Sequence, residues 1–332
     1  MASSSSVQET STSMQEALAY EIKGRTMSLE ERDLKIQIEN LVDFNSLAHH
    51  GCDIRSYYEA QDLIDYFSML NGPTYKTLVR HFWVRAHVYD EKAAKLEETK
   101  KVLIDPTMEG KSREEMGLEP FRCTAIRSSI IGIPIFISEE IISFVLRRSS
   151  EGNYKGGIGN SKTSSWNEVV NKSMFNSTKK GAYSDLSMEK KMLLKIQNDN
   201  LLQKGGGSDQ PSLDHMIFLH YFITKEKENV PTYIFKHMIK ELRESQDNKI
   251  CWVPYGRLIS EILHQGGILK ALSNVNFFTD EQLDTETGKI INGRTLRNMN
   301  LIGKEVYTKF STDLMEFDAM SNLMDDFPPI CK

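Results

Sequence analysis

Lys249-Ile250-Cys251-Trp252-Val253-Pro254-Tyr255-Gly256-Arg257 separates two helical patterns whose reading decides the fold. Upstream, Pro231 occupies a first-turn position, and Ile234, Phe235, Met238, Ile239 and Leu242 form one apolar stripe at helical spacing. Downstream, Pro254 starts a second helix, with Leu258, Ile259, Ile262 and Leu263 inward and Gly266-Gly267 as its stop. Just before both, residues 213–224 are apolar on most sides (Leu213, Met216, Ile217, Leu219, Phe222, Ile223), the pattern of a buried helix. A helix buried all round needs other helices to bury it. The reading is therefore mainly α: a multi-helix globular domain with one small β-hairpin, a disordered N-terminus and a weakly ordered C-terminal tail.

Working outward, a helix near 187–203 places Met192, Leu193 and Ile196 inward and ends at Gly205-Gly206-Gly207. Residues 149–165 are rich in Gly, Ser and Asn, which makes 149–186 a polar hinge or insertion between an N-terminal helical part, 27–148, and a C-terminal one, 187–272. Phe121 to Ile131, Gly132 and Ile133 to Ile137 read as two short strands around a turn, and Pro134 puts the second strand on an edge or at a bulge. Ser138-Glu139-Glu140 caps a short helix carrying Ile141, Ile142, Val145 and Leu146.

Further back, residues 105–120 read as an exposed insertion, and the mixed charges of 90–101 as a solvated helix face or an extended loop. Asn71-Gly72-Pro73 is a turn opening a helix with Leu78, Val79 and Phe82 inward. Asp53 can cap a helix carrying Tyr57, Leu63, Ile64 and Phe67. Ser28-Leu29-Glu30-Glu31 has the capping-box form and opens a segment with Leu34, Ile38, Leu41 and Val42 on one helical face; the alternation Leu34, Ile36, Ile38 is strand-like. Residues 1–26 read as a disordered leader and 273–332 as an acidic-apolar tail.

In order and local phrasing the chain resembles the plant transposon protein domain family, which includes the envelope-like proteins of plant gypsy-class LTR retrotransposons. Five segments carry the resemblance: Leu78-Val79-Arg80-His81-Phe82-Trp83; the hairpin Ile130-Ile131-Gly132-Ile133-Pro134-Ile135-Phe136-Ile137-Ser138; the helix 213–224; Val230-Pro231-Thr232-Tyr233-Ile234-Phe235-Lys236-His237-Met238-Ile239; and Val253 to Ile268. Together they cover residues 75–272. Ile131-Gly132-Ile133 stands where that family has a basic-glycine phrasing. The resemblance implies a retroelement-derived open reading frame in a plant genome and brings no catalytic residues with it. The leading reading of function is a non-enzymatic accessory or envelope-like protein that acts by binding nucleic acid or another protein. The alternatives are a cryptic metal-dependent nuclease or transposase, and a domesticated helical interaction module.

Composition bounds these readings. The chain has 332 residues, is 39% hydrophobic and 26% charged, and has a net charge of −5, which excludes a generally basic nucleic-acid coat but leaves local patches open. Cys52, Cys123, Cys251 and Cys331 are too dispersed for a zinc site or a disulfide scaffold and read as reduced thiols of an intracellular protein. The best apolar run, Ile130 to Ile137, falls short of the roughly 20 residues a membrane span needs. Met1-Ala2-Ser3-Ser4-Ser5-Ser6 lacks the apolar core of a secretory signal.

No catalytic, cofactor or metal residues are expected. Gly156-Gly157-Ile158-Gly159-Asn160-Ser161-Lys162-Thr163 misses the last glycine of a P-loop. Asp325-Asp326 lacks the flanking strands of a polymerase carboxylate pair, and His215 and His220 are poorly spaced for one metal. Residues 147–180 are the enriched patch: Arg147, Arg148, Lys155, Lys162, Lys172, Lys179 and Lys180 against Glu151 and Glu168, with Tyr154, Trp166 and Phe175 interleaved. Cations that neutralise phosphates, mixed with aromatics that stack on bases, fit single-stranded nucleic acid; a solvated linker fits the same composition. Trp252, Tyr255 and Arg257 are a second candidate surface, for a protein partner.

Overall fold

The computed structural model describes residues 19–22, 25–28, 34–154, 170, 172–174, 185–203, 213–248, 252–274 and 283–309. In chain order its elements are β1 (Ala19–Ile22), β2 (Arg25–Ser28), β3 (Lys35–Ile36), β4 (Leu41–Val42), α1 (Phe44–His49), α2 (Arg55–Glu59), α3 (Ile64–Met69), β5 (Thr74–Tyr75), α4 (Lys76–Arg85), β6 (His87–Tyr89) and α5 (Glu91–Ile104). There follow β7 (Ala125–Ile130), β8 (Ile133–Ile137), α6 (Glu139–Val145), α7 (Met188–Ile196), α8 (Leu213–Thr224), α9 (Val230–Asn248), β9 (Trp252–Val253), α10 (Gly256–Gln265), α11 (Ile268–Asn274), β10 (Thr285–Glu286), β11 (Ile290–Ile291) and α12 (Gly293–Asn298). The fold is mainly α, as its apolar periodicity predicts.

The helices around residue 250 form the centre. On α9 the stripe Tyr233, Ile234, Phe235, Met238, Ile239 and Leu242 is buried, and so are Ile217, Phe218, Leu219, Tyr221 and Phe222 of α8. On α10 the four predicted inward residues are buried too. One continuous apolar core joins these to Tyr58, Tyr66, Phe82 and Trp83 from the first half of the chain, so both halves share a single interior.

The hairpin lies where its sequence places it. Ile130 pairs with Ile133, leaving Ile131 and Gly132 as a two-residue turn with φ of 50° and 79°, the left-handed pair that suits a tight hairpin. Alternate residues Ile126, Ser128, Ile130, Ile135 and Ile137 face inward. β6 adds a third antiparallel strand on the β7 side, so β8 with its Pro134 is an edge. The Ser138 hydroxyl caps α6 by accepting the Ile141 amide. α5, the mixed-charge segment, is a surface helix with only Ala94 buried.

Three expectations need correction. Residues 34–42 are extended rather than helical: β3 runs parallel to β9, and β4 runs parallel to β11. The strand-like alternation prevails because the backbone ladder comes from segments more than two hundred residues away. The helix expected over 53–70 is two helices, broken where Asp62 turns left-handed at φ 52°, and α2 is capped at Ile54 without a side-chain bond from Asp53. Pro254 precedes α10 by two residues, and Tyr255, left-handed at φ 60°, is its N-cap.

At the ends, residues 1–18 lie outside the described residues, while Ala19–Ile22 and Arg25–Ser28 pair as an antiparallel hairpin. Within 273–332, residues 283–309 return to the core. β10 pairs with β5, β11 with β4, and Ile291 and Leu296 are buried; residues 310–332 lie outside the described residues.

Candidate functional site

The candidate surface at Trp252, Tyr255 and Arg257 is an internal joint. Trp252 is half-buried in β9, whereas Tyr255 is fully buried and Arg257 is 4% exposed, so neither can meet a partner. The local sequence explains this. Val253 is paired with Ile36, and the amide of Gly256 donates to the Gln37 carbonyl at 3.0 Å. A Cβ on Gly256 would overlap Ile36, so the chain must pass there as glycine. The left-handed turn at Tyr255 sends its ring inward. Its hydroxyl lies 2.7 Å from His237 Nδ1 and donates to the Leu201 carbonyl at 3.0 Å, where α7 widens into a π turn over Gln197–Leu201.

Arg257 is held within the same joint. Its guanidinium bonds Glu261, and Gly72 approaches so closely that a Cβ there would overlap it. The buried Glu39 carboxylate accepts the Arg257 and Leu258 amides at 2.8 and 3.0 Å, capping α10 from a distant segment. Burial pushes the Glu39 carboxyl up to about 7, against those two amides and the nearby guanidinium. The joint is a polar lock between α10, the π turn and the β3–β4 segment. Sequence reasoning missed Glu39 because one glutamate in a polar-apolar stretch carries no signal of its own.

The basic segment begins at the end of α6. Arg147 is left-handed at φ 52°, and its amide donates to the Phe144 carbonyl while that of Arg148 donates to the Ser143 carbonyl, both at 3.0 Å. This is the Schellman arrangement, in which a left-handed residue satisfies the last carbonyls of a helix. It sends neighbouring arginines opposite ways: Arg147 is exposed, whereas Arg148 is 6% exposed. Arg148 Nη2 bonds the Glu228 carbonyl and Gln61 Oε1, and Gln61 also accepts the Glu228 amide at 3.1 Å. Burial holds the Glu228 carboxyl well above the usual range, opposed by the Arg148 guanidinium. Arg148 is therefore an internal anchor, which corrects its assignment as a nucleic-acid contact.

Beyond Arg148 the chain is stitched to the α8–α9 turn. The Asn153 amide donates to Lys227 O at 2.9 Å, the Asn229 amide to Asn153 O at 3.0 Å, and the Tyr154 ring meets Tyr233 edge-on at 4.7 Å. Further along, Val170 and Met174 are buried, Ser173 Oγ meets His220 Nδ1 at 2.8 Å, and Lys190 Nζ donates to the Ser173 and Met174 carbonyls at 2.8 and 2.9 Å. Lys172, between them, is exposed. Lys155, Lys162, Trp166, Lys179 and Lys180 lie outside the described residues, as does the near-P-loop stretch 156–163. At the root of the segment, Glu140, Ser143, Phe144, Arg147, Arg148, Ser149 and Ser150 line an open depression of about 490 Å³.

The remaining motifs have structural roles or lie beyond description. His215 Nε2 lies 2.9 Å from the Leu202 carbonyl. Burial lowers the His220 imidazole, and burial together with Arg85 pushes His81 down to about 4. The Cys52 thiol is pushed up to about 12, chiefly by burial, which makes it a poor nucleophile. Asp325 and Asp326 lie outside the described residues. Among the described residues, no three His, Cys, Asp or Glu side chains stand close enough to hold a metal ion, and no helix is long and apolar enough to cross a membrane. Compared with protein-family models, with curated proteins and with solved structures, the chain matches none.

Proposed function

We propose that this chain is a non-enzymatic accessory protein of plant retrotransposon origin, of the envelope-like kind. It acts inside the cell by holding nucleic acid on the basic segment 147–180. The proposed origin rests on the order and phrasing of the five sequence segments between residues 75 and 272. The observation that carries the binding role is the mounting of the basic segment. Arg147 and Lys172 are exposed, and the segment is fastened to the α7–α8–α9 region at two places, through Asn153 and Tyr154 and through Ser173 and Met174. A cationic stretch fixed at two points along its length loses less freedom on binding than a free tail, so more of the phosphate attraction appears as affinity.

The test is a salt titration of binding to single- and double-stranded RNA and DNA. It compares the intact protein with a variant in which Arg147, Lys155, Lys162, Lys172, Lys179 and Lys180 are changed to glutamate and Arg148 is left in place. Binding that weakens linearly with log salt and is lost in the variant supports the reading. Absence of binding by the intact protein at low salt overturns it and leaves protein partners as the subject.

A further inference from the structure

We infer that the depression at the end of α6 is a base-stacking subsite for single-stranded nucleic acid, with Phe144 as the platform and Arg147 as the phosphate cation. This rests on the nucleic-acid reading of segment 147–180 and adds to it a residue outside that segment. Two independent observations carry it.

The first is exposure. Phe144 is 61% exposed, the most exposed phenylalanine, tyrosine or tryptophan ring among the described residues. Its helix neighbours Ile142 and Val145 are buried, so α6 has a normal inward face and Phe144 stands off it. The other exposed phenylalanine, Phe136 at 44%, lies beneath the Arg127 guanidinium at 5.4 Å, whereas Phe144 borders the open depression. A ring beside an open depression that also contains an exposed arginine and the chain at Ser149 and Ser150 has the parts a base and its phosphate require.

The second is backbone strain. Arg147 holds the left-handed position of the Schellman turn, where glycine is the residue of least cost because a Cβ is disfavoured at φ 52°. Folding alone favours glycine there. An arginine at that position gives the turn a cation beside Phe144, at the root of the basic segment. Glu140 also lines the depression; its carboxylate repels a phosphate placed on its side, which leaves the Arg147 side for the backbone of a bound strand.

The experiment measures binding of a fluorescein-labelled short oligouridylate and of a matched RNA duplex to the intact protein, Phe144→Ala, Phe144→Tyr and Arg147→Gly. Circular dichroism and thermal melting accompany each variant. Phe144→Ala should weaken oligouridylate binding about tenfold, with an unchanged salt slope and little effect on the duplex, and Phe144→Tyr should restore it. Arg147→Gly should raise the melting temperature while weakening binding and reducing the salt slope by about 0.7, the contribution of one phosphate contact on a single strand. If the intact protein binds but neither position matters, the subsite is overturned and the role of 147–180 stands. If the intact protein binds neither probe at low salt, both fall.

Discussion

Glu39→Gln is the substitution whose outcome runs against the usual view of a helix-capping carboxylate. Glu39 accepts two amides at the start of α10, so its loss would ordinarily be expected to destabilise the protein most where it is ionised. Burial reverses that order. The carboxyl rises from 4.5 in the unfolded chain to about 7 in the fold, so the folded state binds its proton more tightly. Stability from this group is fully present below pH 4.5, declines as pH rises, and is gone above the folded value near 7. At about 1.4 kcal/mol per pH unit, the span is about 3 kcal/mol. Glutamine cannot ionise and matches the protonated form in size, so it removes this pH dependence and leaves the other groups in place. Urea unfolding followed by tryptophan fluorescence, at several pH values on both proteins, gives the difference directly. The stability of the natural protein minus that of Glu39→Gln should fall by about 3 kcal/mol from below pH 4.5 to above pH 7. A difference that is flat, or that grows with pH, refutes the reasoning: the two amides and Arg257 would then outweigh desolvation, and Glu39 would act as an anionic cap.

Two further substitutions probe the anchors. Arg148→Ala removes the buried bonds to Gln61 and the Glu228 carbonyl, so it should cost about 1.5–3 kcal/mol, whereas Lys172→Ala on the surface should stay within about 0.5 kcal/mol. Equal denaturation midpoints for the two would show that Arg148 is not an anchor. Tyr255→Phe deletes the hydroxyl between His237 Nδ1 and the Leu201 carbonyl and should destabilise by about 1–3 kcal/mol in chemical denaturation; an unchanged midpoint would count against the joint at the π turn.

The legible part of the chain is the part whose instructions are local. The α8 and α9 stripes, the hairpin around Gly132 and the Ser138 cap each depend on residues within a few positions, and each is present, with the first strand of the hairpin shorter than read, at Ala125–Ile130. The β3–β9 and β4–β11 pairings span two residues each and draw on partners across the chain, so no window of sequence contains them. Arg148, Tyr255 and Arg257 turn inward, against the reading of them as surface contacts, for a related reason. Side-chain type was read correctly, but direction was not, because direction is set by single backbone turns. The left-handed residue Tyr255 carries an aromatic into the core, and the left-handed Arg147 turns the next arginine inward. Counting charge over 147–180 therefore overstates the binding patch by the one arginine whose loss would damage the fold. A charge-reversal experiment that included Arg148 would abolish binding for the wrong reason. Sparing it makes lost affinity interpretable, because Arg147 and Lys172 can change sign without disturbing the bonds that fix the segment.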